Sequence, residues 1–150
     1  MSAQLEKMRE SLANTVSAVE ETGPRRLVAK AEPENISRIF RKLLEDFKGD
    51  LYLDFIAAVD YPEDKQFEIN YSIWIYSLKT ILTIKVRLSR EKPKIETISD
   101  LIPSAVNHEQ EVYDLMGIDF SGNPHLRRGF LVAEELKDSF PLRKDEAKQA

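Results

Sequence analysis

Apolar residues near the start of the chain recur at spacings of three and four. Leu5, Met8, Leu12, Val16 and Val19 form one stripe, which predicts an amphipathic helix from about Ser2 to Glu21. Gly23 and Pro24 end it, and Arg26 to Ala31 reads as a short strand. Pro33 then opens a second helix, at a position where a missing N–H is tolerated. Ile36, Ile39, Phe40, Leu43, Leu44 and Phe47 keep the helical period, and Gly49 stands where a C-terminal cap is expected.

At Leu51 the period drops to two. Leu51, Leu53, Phe55, Ala57 and Val59 fall on one face up to the polar turn around Pro62, followed by Phe67, Ile69, Tyr71, Ile73 and Ile75, then Leu82, Ile84, Val86 and Leu88. These three strands predict an antiparallel meander. Two amphipathic helices need a surface to cover, and the apolar face of the sheet supplies it, so the expected class is α+β: a two-layer domain of helices packed on a mainly antiparallel sheet.

A further short helix is predicted from about Pro103 to Met116, ended by Gly117. From Ile118 to Ala150 no period is sustained, yet Phe120, Leu126, Phe130, Leu131, Val132, Leu136, Phe140 and Leu142 are spread along it. That is too apolar for simple disorder. The expected organisation is an α+β domain over 1–117 and an extended C-terminal arm over 118–150 that docks on a partner.

Composition narrows the chemistry. The 150 residues contain no cysteine, which excludes disulfides, thiolate-ligated iron–sulfur clusters, cysteine-type zinc sites and thiol nucleophiles. The net charge of −4 argues against nucleic acid as a partner. No apolar run is long enough to cross a bilayer and the charged start has no signal-peptide layout, so membrane contact is expected only through other proteins. The charge-rich, cysteine-free composition follows the drift of thermophile proteins.

His108 and His125 are the only histidines and sit in no ligand spacing; the five glycines fit neither dinucleotide nor P-loop patterns. Catalytic, cofactor and metal sites are therefore not expected in this chain. Glu109, Glu111, Asp114 and Asp119 form an acidic cluster that could do acid–base chemistry if burial split its pKa values; the plainer reading is a solvated or ion-paired helix face. Arg127-Arg128 and Arg143-Lys144 lie beside apolar anchors, a pairing that suits a binding surface.

The run from Glu111 through Tyr113, Asp114, Gly117, Phe120, Gly122, Pro124, Leu126 and Arg127 to Arg128, followed by Pro141-Leu142-Arg143-Lys144-Asp145, resembles the signature of the thirty-kilodalton subunit family of respiratory complex I, the C subunit of NADH-quinone oxidoreductase. The resemblance implies a cofactor-free structural subunit of the hydrophilic arm. It would pack through these signature residues against the large subunit related to nickel–iron hydrogenases. Iron–sulfur clusters, and in some members nickel–iron, would then sit in partner subunits, and the chain would lie peripherally on the cytoplasmic side of the cell membrane.

The resemblance is not uniform. Asn107 and Gln110 stand where quinone-linked members carry Trp and Arg, Ser139 and Phe140 replace the usual Gly and His, and the chain stops soon after Asp145. Such a divergent, shortened member resembles the version in ferredoxin-dependent membrane-bound hydrogenases and sulfur-reducing relatives. The same subunit in an NADH- or other donor-dependent quinone reductase stays open, as does a small stand-alone acid–base enzyme or binding module.

Overall fold

The computed structural model describes residues 2–131 and 139–144. Helix α1 covers Ala3–Leu12, capped by Ser2, whose hydroxyl accepts from the Leu5 N–H at 3.1 Å. It stops well short of Glu21. Asn14 takes a left-handed φ of 76°, and the chain from Ala18–Gly23 forms strand β1, which hairpins through Pro24 and Arg25 onto β2, Arg26–Ala31. Val16 and Val19 fit a helical stripe by spacing, but Val19 faces Ala29 across the hairpin, where a β-branched side chain packs well.

A 3-10 turn at Pro33–Asn35 leads into α2, Ile36–Asp46, whose apolar side is fully buried at Ile36, Ile39, Phe40 and Leu43. Gly49 adopts φ 73° in the turn that follows. Next come β3 (Leu51–Tyr61), β4 (Gln66–Ile75) and β5 (Thr80–Ser89), joined as the expected antiparallel meander. The five strands lie in the order β1-β2-β5-β4-β3, with β2 parallel to β5. That parallel join is invisible to local pattern, because its partners lie far apart along the chain.

Among the described residues the helices cover one face of the sheet. Leu27, Ala29, Ile69, Tyr71, Ile73, Leu82, Ile84 and Val86 are buried beneath them, and each such side chain contributes about 1.5–3 kcal/mol of burial if large. The other face carries Glu68, Asn70, Ser72 and Trp74 of β4 in alternation with these. In β3 the predicted face is correct only to Leu53. A bulge between Leu53 and Phe55 turns Phe55 outward at 44% exposure and brings Ile56 and Asp60 inward at 5% and 2%.

After β6 (Lys94–Glu96), helix α3 runs Ala105–Met116 and ends at Gly117, φ 77°, with its N–H on the Tyr113 carbonyl at 2.9 Å. Strand β7, Asp119–Ser121, pairs in parallel with β6. Ile118 and Phe120 are fully buried in the same core as the sheet and helices. The domain therefore does not end at Gly117, as expected above; the chain stays inside it through β7. Residues 132–138 and 145–150 of the expected arm, Val132, Leu136 and Asp145 among them, lie outside the described residues.

Candidate functional site

Helix α3 organises both signature blocks, because three successive turns of it present a buried carboxylate, a second buried carboxylate and a bare glycine. Glu109 is fully buried. It accepts from the Ile98 N–H at 3.0 Å, from Asn123 Nδ2 at 3.0 Å and from the Thr97 hydroxyl. Burial pushes its pKa up, opposed by these donors. Burial first and the Glu109 charge second push the Tyr71 phenol well above its usual range.

Asp114 is also fully buried. Its carboxylate accepts from the N–H groups of Gly129 at 2.8 Å and Leu131 at 2.6 Å and pairs with Arg128 Nε at 3.2 Å. Arg128 in turn stacks on the Phe140 ring at 4.1 Å and donates to the Ser139 carbonyl. A single helical aspartate thus fixes the loop that follows Leu126 and, through Arg128, the second block.

Gly117 receives that second block. Arg143 donates from Nε to the Met116 carbonyl at 2.8 Å and lies over the rings of Phe140 at 4.5 Å and Phe67 at 5.2 Å. A Cβ at Gly117 would meet the Arg143 guanidinium at 2.6 Å and the Phe140 ring at 2.9 Å. Glycine is needed both for the left-handed φ and for the close approach. One residue on, the Lys144 N–H donates to Asp60 at 2.9 Å, a carboxylate already gripped by Arg90 in a two-pronged pair at 2.8 and 3.0 Å.

The fifteen expected interface residues therefore divide. Glu111, Gly122, Pro124, Arg127, Leu142 and Lys144 are exposed; Tyr113, Gly117, Leu126, Arg128, Pro141 and Arg143 are partly buried; Asp114 and Phe120 are buried. Asp145 lies outside the described residues. The acidic cluster is not one surface: Glu109 and Asp114 point inward to separate sets of donors, whereas Glu111 and Asp119 face solvent. His108 is partly buried, and His125 is exposed, with its carbonyl accepting from Gln110 Nε2. Asp60 and Arg90 carry no local signal in the sequence beyond an acid placed next to a turn, so pattern alone does not single them out.

Residues 29–150 match the family described as respiratory-chain NADH dehydrogenase, 30 Kd subunit. The chain belongs to this family. The 30 Kd subunit relatives include the C subunit of the NADH-quinone oxidoreductase of Moorella thermoacetica, 35% identical over 102 residues that cover 68% of each chain. The C subunit of the F(420)H(2) dehydrogenase of Methanosarcina mazei is 33% identical over 108 residues, 70% of this chain and 68% of that one. Among solved structures, a chain of the membrane-bound sulfane sulfur reductase, an archaeal respiratory membrane complex, superposes with a TM-score of 0.86 at 25% identity over 96% of this chain and 85% of that chain. A trypsin-resistant fragment of Nqo5 gives 0.65 at 26% identity over 81% and 97%. A 30 Kd subunit with these relatives is a subunit of a complex I-like oxidoreductase.

Proposed function

We infer that this chain is a cofactor-free assembly subunit of a ferredoxin-dependent membrane-bound nickel–iron hydrogenase or of a sulfur-reducing relative, held on the cytoplasmic side of the membrane by its partners. The observation that carries this choice is the superposition on the sulfane sulfur reductase chain across 96% of this chain. The departures at Asn107, Gln110, Ser139 and Phe140 point the same way. In this reading the exposed signature residues Glu111, Gly122, Pro124, Arg127, Leu142 and Lys144 meet a hydrogenase-like large subunit, while iron–sulfur and nickel–iron centres belong to that subunit and its neighbours. The buried signature residues hold the exposed ones in place.

A second reading, the same subunit in a quinone-linked complex, is favoured by the identity to the Moorella NADH-quinone oxidoreductase relative. One preparation separates them. The tagged chain is recovered from gently solubilised membranes, its companions are identified by mass spectrometry, and the assembly is offered reduced ferredoxin, NADH or reduced F420 as donor, each with protons, sulfane sulfur or a quinone as acceptor. Hydrogen or sulfide production with no quinone reduction supports the first reading; NADH- or F420-linked quinone reduction overturns it. Recovery in the soluble fraction without companions overturns both.

A further inference from the structure

We propose that strand β3 receives an extended strand from a partner subunit, added edge to edge, and that this strand alternates apolar side chains with at least one basic residue. The proposal rests on the reading of the chain as a subunit of a larger complex and deepens it, naming the mode of contact at a surface to which the signature residues Glu111 and Leu142 contribute.

Strand β3 is the outer strand of the sheet, eleven residues long, and pairs with β4 alone among the described residues. An outer strand turns half its N–H and C=O groups away from its neighbour, and such an edge is normally blunted by charge, proline or brevity. Here Leu51 to Tyr61 contains no proline and no lysine, and of its two acids Asp60 is buried. The bulge at Asp54 protects only one end. Phe55 on this strand and Leu142 beside it line one groove and are exposed at 44% and 57%, and Tyr52 near the start of the strand is exposed at 54%.

Beside the strand lies a groove of about 340 Å³ between β3 and α3, walled by Phe55, Ala57, Ala58, Leu115 and Leu142, with Glu111 exposed on its helix wall. The two features together select the occupant. A row of outward backbone groups calls for an extended strand, because strand addition draws affinity from main-chain hydrogen bonds and specificity from alternate side chains. The apolar wall takes one set of those side chains. Glu111, with Asp54 exposed on the strand itself, favours a basic residue opposite it. The chain's own segments 132–138 (Val-Ala-Glu-Glu-Leu-Lys-Asp) and 145–150 (Asp-Glu-Ala-Lys-Gln-Ala) are net acidic and match that rim poorly.

The test compares amide hydrogen exchange over 51–59 in the free full-length chain and in the assembled complex, with E111K and the double variant F55D/L142D as companions. The expected result is that the fast-exchanging half of the β3 amides slows by about tenfold or more on assembly. E111K should lower recovery of one partner subunit, and F55D/L142D should abolish it at an unchanged melting temperature. Equal exchange in a complex that retains its subunits overturns the strand addition and leaves the subunit reading intact. Concentration-dependent protection in the free chain assigns the edge to a second copy, and concentration-independent protection assigns it to the chain's own residues; either overturns the proposal. Failure to recover any partner subunit sinks both readings together.

Discussion

The guanidinium of Arg143 rests on the bare Cα of Gly117, where a methyl group would come within 2.6 Å of it. Two parts of the sequence signature, well separated along the chain, are thus in van der Waals contact. The G117A variant must take both a left-handed backbone, which costs about 1–2 kcal/mol for a residue with a Cβ, and displacement of the arginine. Urea denaturation should show a loss at least that large. In the double variant G117A/R143A the loss should be less than the sum of the single losses, because the clash with the guanidinium is gone and only that with the Phe140 ring remains.

Removing the Asp114 carboxylate strands two backbone N–H groups and Arg128 in a buried site. Breaking a buried pair in this way costs about 3–5 kcal/mol. D114A should therefore lower the denaturation midpoint by that equivalent and expose the loop after Leu126 to limited proteolysis before the sheet unfolds. A variant that melts like the parent would show that the loop is not held through Asp114.

The two arginines of the first block should behave differently. Arg127 is exposed, with its guanidinium 5.9 Å from the Phe130 ring, whereas Arg128 is paired with a buried acid. R127E is expected to leave the melting temperature within about 2 °C, as is usual for surface changes of under about 0.5 kcal/mol, and to weaken recovery of the large subunit. R128E is expected to destabilise the free chain itself. Equal effects of both on the melting temperature would contradict the pairing.

Truncation locates the domain boundary. A cut after Gly117 removes Ile118 and Phe120 from the core, about 1.5–3 kcal/mol for each side chain, together with β7 and the Asn123 donor to Glu109. Residues 1–117 should show no cooperative thermal transition, whereas residues 1–126 should keep one at a lower temperature. A cooperative melt of 1–117 would restore the boundary at Gly117.

Glu109 makes stability depend on pH. Its folded pKa is raised above the ordinary 4.5, so the stability it contributes is complete below that ordinary value and is lost as pH rises through the folded one. The melting temperature of the parent relative to E109Q should therefore fall as pH climbs from the carboxylate range toward neutrality. A difference that stays flat or grows would reverse the sign.

Strong local periods made α2, β4 and β5 legible in the sequence, and with them the α+β class. Where the pattern misled, a non-local partner was responsible. Val19 fits a helical stripe until β2 offers it a ladder, and the β3 face is right until the bulge shifts it by one residue. The family signature was legible as residues, yet its division into surface and interior was not. Asp60 is buried because Arg90, thirty positions later, and Lys144, eighty-four positions later, converge on it. No window along the chain contains all three.

The parallel join of β2 to β5 also sets an order of events during synthesis. Ala31, the last residue of β2, is made about fifty residues before Ile81 of its partner strand, which at ribosomal rates is about 3–10 s. For that interval the N-terminal hairpin has an apolar face and no strand to lie against. The hairpin is thus made before the meander yet completed after it, since β2 gains its second neighbour only when β5 arrives.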